Sequence, residues 1–206
     1  MKGLFFDLDG TLVDSLPLLK AIYEEFLCSF GKEGSDEEFQ KINGPPLRQG
    51  IEILKEIHGI KEPLSELSEN YLTRVREKYV GAKPHQGAFE ILEWAVKNGW
   101  VCSIVTSSSE LLAREWLSRN KMQNLISYIA GHESVKMGKP HPEPYLFALK
   151  LSQCDVNESV AVEDSASGVT SALQAGLKTI TYAPQLPEGP KRISNLLSLK
   201  RHLTHA

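Results

Sequence analysis

Short uninterrupted apolar runs alternate along the chain with stretches in which apolar residues recur three and four positions apart. Leu4-Phe5-Phe6, Trp100 to Val105, Tyr128-Ile129-Ala130, Val160-Ala161-Val162 and Thr179 to Tyr182 are each too short for a helix and read as buried strands. Between them, Ala88, Ile91, Leu92 and Ala95 before Asn98-Gly99, and Leu112, Trp116 and Leu117 before Asn120, carry the spacing of amphipathic helices. Strand-helix alternation predicts an α/β fold with a doubly wound parallel sheet. Ligands of such sheets sit beyond the carboxyl ends of the strands, so the polar residues directly after each apolar run are where chemistry is to be sought.

The alternation lapses between about Leu16 and Val80, where the pattern is helical throughout. Leu19, Ile22, Tyr23, Phe26, Leu27 and Phe30 form one stripe that ends at Gly31; Leu64, Leu67, Tyr71, Val75 and Tyr79 form another that ends at Gly81. Ser35 with Glu38 three residues on predicts a capping box, and Asn43-Gly44-Pro45-Pro46 breaks the chain before a further helix. The expected organisation is therefore a core of residues 1–15 and 82–206 with a small four-helix cap, 16–81, inserted after the first strand. The tail from Pro184 to Ala206 opens with a Pro- and Gly-rich turn and predicts a short packing helix around Ile193 to Leu199.

Four polar sets follow the strands. Asp7-Leu8-Asp9-Gly10-Thr11 puts two carboxylates two positions apart at the end of the first run, and such a five-residue pattern has odds of roughly one in a thousand of arising by chance in a chain of this size. Thr106-Ser107-Ser108-Ser109 offers hydroxyls and N–H groups at the start of a helix, which suits a phosphate but equally an ordinary N-cap. Gly138-Lys139-Pro140-His141-Pro142 carries one lysine on a proline-stiffened loop, and Glu163-Asp164-Ser165 adds a second acidic pair. Together Asp7, Asp9, Glu163 and Asp164 crowd up to four negative charges into one crevice, which calls for cations. Carboxylates without a His or Cys cluster favour a hard ion such as Mg²⁺, with Lys139 as a fixed positive charge. A phosphate ligand fits that arrangement, with one carboxylate left over as nucleophile.

Composition narrows the partners. In 206 residues, 41% hydrophobic and 24% charged is an ordinary globular balance, and a net charge of -3 gives no field to hold a nucleic acid. Cys28, Cys102 and Cys154 are widely spaced and odd in number, which predicts buried thiols in a reducing compartment. The opening Leu4-Phe5-Phe6 is far short of a secretory h-region and no run approaches a membrane span, so a cytoplasmic protein is expected, with no membrane and no protein partner implied.

DLDGT at 7–11, Thr106 after an apolar strand, Lys139 in GKPHPEP, and Glu163-Asp164-Ser165 followed by Gly168 closely resemble, in order, the four signature motifs of the haloacid dehalogenase superfamily. The cap-sized gap after the first motif is similar to the subfamily of phosphoglycolate phosphatases, sugar-phosphate phosphatases and β-phosphoglucomutases. The resemblance spans residues 4 to about 182 and implies a Rossmann-type core acting on a small phosphorylated metabolite. It further implies Asp7 as nucleophile through an aspartyl-phosphate and Asp9 as general acid and base. Mg²⁺ would be held by Asp7, the Asp9 main-chain carbonyl and Asp164, with Glu163 adjacent or bound through water. Thr106, Ser107 and Lys139 would hold the phosphoryl group.

Within the superfamily the resemblance separates subgroups. An acid at Asp9 and Gly10-Thr11 after it are unlike the dehalogenases, phosphonate-cleaving members and ATPases, which leaves phosphatase and phosphomutase. The mutases carry a cap histidine twelve residues after the nucleophile, where this chain has Leu19, and Asp14-Ser15-Leu16-Pro17 is similar to a segment of phosphoglycolate phosphatases. Thr106-Ser107-Ser108 is closer to sugar-phosphate members. The readings carried forward are a Mg²⁺-dependent phosphomonoester hydrolase, a phosphomutase and a non-catalytic phospholigand binder. For the leaving group, Arg48 is the cap candidate; Lys20 and Lys41 read as solvated, and His85, His132 and His141 as loop histidines rather than ligands.

Overall fold

In the computed structural model, which describes residues 1–43, 45–79, 81–182 and 190–204, the five predicted runs and a short sixth strand form a parallel sheet in the order β3-β2-β1-β4-β5-β6. Its strands are β1 (Gly3–Phe6), β2 (Val101–Val105), β3 (Tyr128–Ala130), β4 (Val160–Glu163), β5 (Lys178–Thr181) and the two-residue β6 (Lys191–Arg192). Phe6 lies opposite Ile104 on one side and Val162 on the other, so the residues that follow β1, β2 and β4 leave the sheet at one edge. Chain order and strand order reverse direction at β1, which places the DLDGT segment at the switch point of the sheet.

The helices are α1 (Leu16–Cys28), α2 (Asp36–Ile42), α3 (Leu47–His58), α4 (Leu64–Tyr79), α5 (Ala88–Lys97), α6 (Glu110–Arg119), α7 (Glu143–Ser152), α8 (Ala166–Gln174) and α9 (Leu199–Leu203). The predicted stripes are their buried faces: Ile22, Tyr23, Phe26 and Leu27 on α1, Leu67, Tyr71, Val75 and Tyr79 on α4, Ala88, Ile91, Leu92 and Ala95 on α5. Burial of those apolar faces, at about 25 cal/mol per Å², is what holds α1 to α4 together. The chain leaves for α1 and returns from α4 side by side, tied by Asp14 N–H to the Lys83 carbonyl (2.9 Å) and His85 N–H to the Leu12 carbonyl (2.9 Å). Gly44 of the predicted break, Val80 at the end of the helical segment, and 184–189 of the Pro- and Gly-rich turn lie outside the described residues. Among those described, no helix is long and apolar enough to cross a membrane.

Three local expectations are corrected. The Ser35 hydroxyl does accept the Glu38 N–H (3.1 Å), but the return half of the capping box runs through Tyr23, whose hydroxyl accepts the Ser35 N–H (2.9 Å) and donates to the Glu38 carboxylate (2.5 Å). A phenol buried beside α2 reaches the cap more directly than the short glutamate stem. The tail helix begins later than predicted, at Leu199, because the Asn195 side-chain oxygen Oδ1 accepts the Ser198 N–H (3.0 Å) and closes a 3-10 turn over 196–198 first. Of the three thiols only Cys102 is buried; Cys154 is half-buried and Cys28 is exposed on the outer face of α1. No disulfide joins them.

Candidate active site

Each strand end delivers its side chain to the edge where β1, β2 and β4 finish. Asp7 directly follows β1, its N–H still bonded to the Val162 carbonyl (2.9 Å), and it is 7% exposed. Lys139 comes from the loop before α7 and is 3% exposed. Its ammonium donates to Asp7 Oδ1 (2.6 Å), to Glu163 Oε1 (2.5 Å) and to the Val105 carbonyl (2.9 Å), so all three of its donors are used. Glu163, the last residue of β4, is fully buried and also accepts from the Tyr145 hydroxyl of α7 (2.6 Å). Asp164 follows it at 7% exposure, with the Thr11 hydroxyl 3.4 Å from its Oδ1.

Two glycines make this crowding possible. Gly10 has φ +85°, and a Cβ there would stand 2.0 Å from Asp164 Oδ2; a Cβ at Gly168 would meet the Glu163 carboxylate at 2.0 Å. The motif glycines thus bring main chain within contact of the acids from both sides.

One lysine serves three buried acids, and the electrostatics follow. Burial pushes the Asp7 carboxyl well above the usual carboxylate range; Lys139 opposes this, while Glu163 and Asp164 add to it. Burial, then Glu163 and Asp9, raise Asp164 to about 7 against the pull of Lys139. For Lys139 itself burial disfavours the charge, but Asp7 and Glu163 together outweigh it and hold its pKa above the ordinary value. The ammonium therefore stays charged, and the crowding that raises the acids favours a further cation among them. One carboxylate oxygen from each of Asp7, Glu163 and Asp164 lies within 4.8 Å of the others, a set that could hold a metal ion. Three hard oxygen donors this close together suit a divalent cation such as Mg²⁺.

Asp9 stands apart from that cluster. Its Oδ1 accepts from the Tyr79 hydroxyl (2.6 Å), at the end of α4, and its Oδ2 from the Ser108 hydroxyl (2.8 Å), in the loop after β2. Thr106 is buried at the end of β2, its hydroxyl accepting the Ser108 N–H (3.0 Å), and Ser109 caps α6 by accepting the Leu112 N–H (3.2 Å). Asp7, Asp9, Thr106, Ser107, Ser108, Lys139 and Asp164 all line one cavity of about 560 Å³. Its opposite wall belongs to α1 through α4 and includes Leu19 and Arg48.

Of the sequence candidates, Asp7, Lys139, Glu163 and Asp164 therefore meet in one contact network, with Asp9, Thr106 and Ser107 beside it and Arg48 across the cavity. Lys20 pairs with Asp36 and Glu24 instead, and Lys41 is exposed on α2. His132 reaches the cavity rim; His85 packs edge-on against Tyr182, and His141 accepts the Glu143 N–H (3.2 Å). Sequence reasoning missed the hydroxyls of Tyr79 and Tyr145. Tyr79 was legible only as an apolar stripe residue, although a tyrosine two positions before the Gly81 that ends its stripe puts a polar tip at the helix end.

The comparisons with known proteins agree with this geometry. The family model described as haloacid dehalogenase-like hydrolase matches residues 4–182. The chain is 33% identical to the phosphorylated carbohydrates phosphatase of Thermotoga maritima over 185 residues, covering 87% of this chain and 84% of that one. It is 29% identical to the phosphoglycolate phosphatase of Pseudomonas fluorescens, covering 86% and 68%. Among solved structures, the putative β-phosphoglucomutase of Thermotoga maritima superposes with a TM-score of 0.77 at 27% identity, covering all of both chains.

Proposed function

Because the chain belongs to the haloacid dehalogenase-like hydrolases and is a phosphatase of that family, we propose that it is a Mg²⁺-dependent phosphomonoester hydrolase that works through an aspartyl-phosphate on Asp7. The phosphoglycolate and sugar-phosphate classes named for its relatives are the proposed substrates. The observation that carries this reading is the Lys139 contact. By fixing Asp7 Oδ1 at 2.6 Å it leaves the second carboxylate oxygen to attack, in a cavity whose other polar groups are those a phosphoryl group needs.

In the first half-reaction an Asp7 oxygen forms a bond to phosphorus as the bond to the leaving oxygen breaks. The leaving oxygen keeps the electron pair and takes a proton from Asp9. In the second, water attacks phosphorus, gives its proton to Asp9, and the bond to Asp7 breaks to regenerate the carboxylate. Thr106 and the Ser107 N–H hold the phosphoryl oxygens throughout, while the Lys139 charge stabilises both Asp7 and the phosphoryl group. Asp7, Asp164, the Asp9 main-chain carbonyl and Glu163, directly or through water, would hold Mg²⁺, which when bound offsets the charge of phosphate and acids. Residues 16–81 act as a cap that closes over the leaving group and excludes water. The cavity position where the mutases carry a histidine is lined by Leu19, which has no proton to move, and this favours hydrolase over mutase.

The test is phosphate release from a panel holding phosphoglycolate and several sugar phosphates, with Mg²⁺ and with EDTA. Metal-dependent release with one preferred substrate is expected. No release from any substrate by the folded protein would overturn the reading, and isomerised hexose phosphate among the products would establish a mutase instead.

A further inference from the structure

We infer that Tyr79 is a positioning residue for Asp9, a group from the helical cap that fixes one oxygen of a core carboxylate so that the other is left to exchange protons in the cavity. The inference rests on the proposed acid-base role of Asp9 and goes beyond it by assigning a cap side chain to that role.

Both oxygens of Asp9 are engaged, but by unlike partners. Tyr79 is 2% exposed, so its hydroxyl is out of reach of water and must find its partner within the protein; that partner is Asp9 Oδ1 at 2.6 Å. Packing alone would be served by phenylalanine at this place in the α4 stripe. Oδ2 instead meets the Ser108 hydroxyl, which lines the cavity, turns freely about its C–O bond, and can donate to an ionised oxygen or accept from a protonated one. A rigid partner on Oδ1 and an adaptable one on Oδ2 make Oδ2 the oxygen that gives up and takes back the proton.

The two partners also lie on different parts of the molecule. Tyr79 ends α4, which packs on α1 and α3, whereas Ser108 follows β2 of the sheet. Asp9 thus spans the join, and its carboxylate is correctly aimed only while α4 holds its present place against the core. Acid-base competence becomes conditional on cap position through a single phenol.

The experiment compares kcat/KM, which reports steps up to formation of the aspartyl-phosphate, for a simple alkyl phosphate and for p-nitrophenyl phosphate in Mg²⁺. The alkoxide needs a proton to leave and the nitrophenolate does not. Tyr79→Phe is expected to lower the alkyl value at least about tenfold while the aryl value stays within about twofold. The ratio of the two values in one preparation cancels the active fraction, so partial misfolding does not blur the outcome. Equal losses on both substrates, or none on either, would overturn the inference. Asp9→Asn is the control: a selective alkyl loss there without one in Tyr79→Phe removes Tyr79 alone, whereas equal losses in Asp9→Asn overturn the acid reading and this inference with it.

Discussion

On the core side of the cavity the charged groups are buried and tied down: Lys139 spends its three donors on Asp7, Glu163 and the Val105 carbonyl, and Tyr145 braces Glu163 from behind. On the cap side Leu19, Phe39, Leu47, Ile51 and Leu72 offer an apolar wall, and Arg48 is exposed and forms no ion pair among the described residues. The cluster cannot give up Lys139 cheaply, since removing the cation strands the buried acids at a cost of about 3–5 kcal/mol. An apolar wall with a solvated guanidinium can change residue by residue. In the proposed reading the core wall holds the phosphoryl group, and the cap wall takes whatever the rest of the substrate requires.

The contrast is broken most severely on the core side. Asp7→Asn keeps the shape and the Lys139 contact but removes the nucleophilic oxygen, so turnover of every substrate should fall by at least about a thousandfold. The protein should stay folded, because the substitution takes one negative charge out of an over-acidic cluster. Steady-state assays with thermal unfolding of the same sample check both halves, and a variant that kept more than about 1% of activity would remove Asp7 from the nucleophile role.

A smaller effect is expected across the cavity. Arg48→Ala should lower kcat/KM for the preferred substrate by about tenfold, the worth of one charged hydrogen bond. The same variant should leave p-nitrophenyl phosphate within about twofold, because that ester carries no second anionic or hydroxylated group for the guanidinium. A uniform loss on both would mean that Arg48 acts on the phosphoryl site, and that the walls are not separable.

The difference between the walls also explains what the chain disclosed before its structure. Asp7, Thr106, Glu163 and Asp164 were legible because a parallel sheet aligns strand ends, and register then carries residues 156 positions apart into contact. The helical unit was legible because its stripes are long and regular. What escaped were polar atoms on apolar residues: the Tyr79, Tyr145 and Tyr23 hydroxyls sit at the tips of side chains whose rings obey the hydrophobic pattern, so periodicity assigns them to packing and is half right. The strand β6, Lys191–Arg192, escaped because two exposed charged residues carry no alternation and take their strand geometry only from β5 beside them. Arg48 was visible as a residue, but its place across the cavity depends on how α3 packs, which no local pattern encodes.

The smallest expected effect, on stability, separates the walls by their response to pH. Burial, then Glu163 and Asp9, hold the Asp164 carboxyl at about 7, against 3.8 for the free side chain. Between those values the folded protein carries a proton that the unfolded chain lacks, so stability falls as pH rises through the window and is greatest at its acid end. Without a divalent ion, the melting temperature should therefore rise by a few degrees on going from pH 8 to pH 6. Mg²⁺ binds the ionised carboxylates and competes with that proton, so its stabilisation should be largest at pH 8 and shrink towards pH 6, flattening or reversing the trend. Groups elsewhere respond to pH alike in both series, so the difference between melting curves with and without Mg²⁺ isolates the core cluster. Asp164→Asn should abolish that difference while Arg48→Ala preserves it; parallel pH slopes with and without Mg²⁺ in the unaltered protein would remove Asp164 from the cation site.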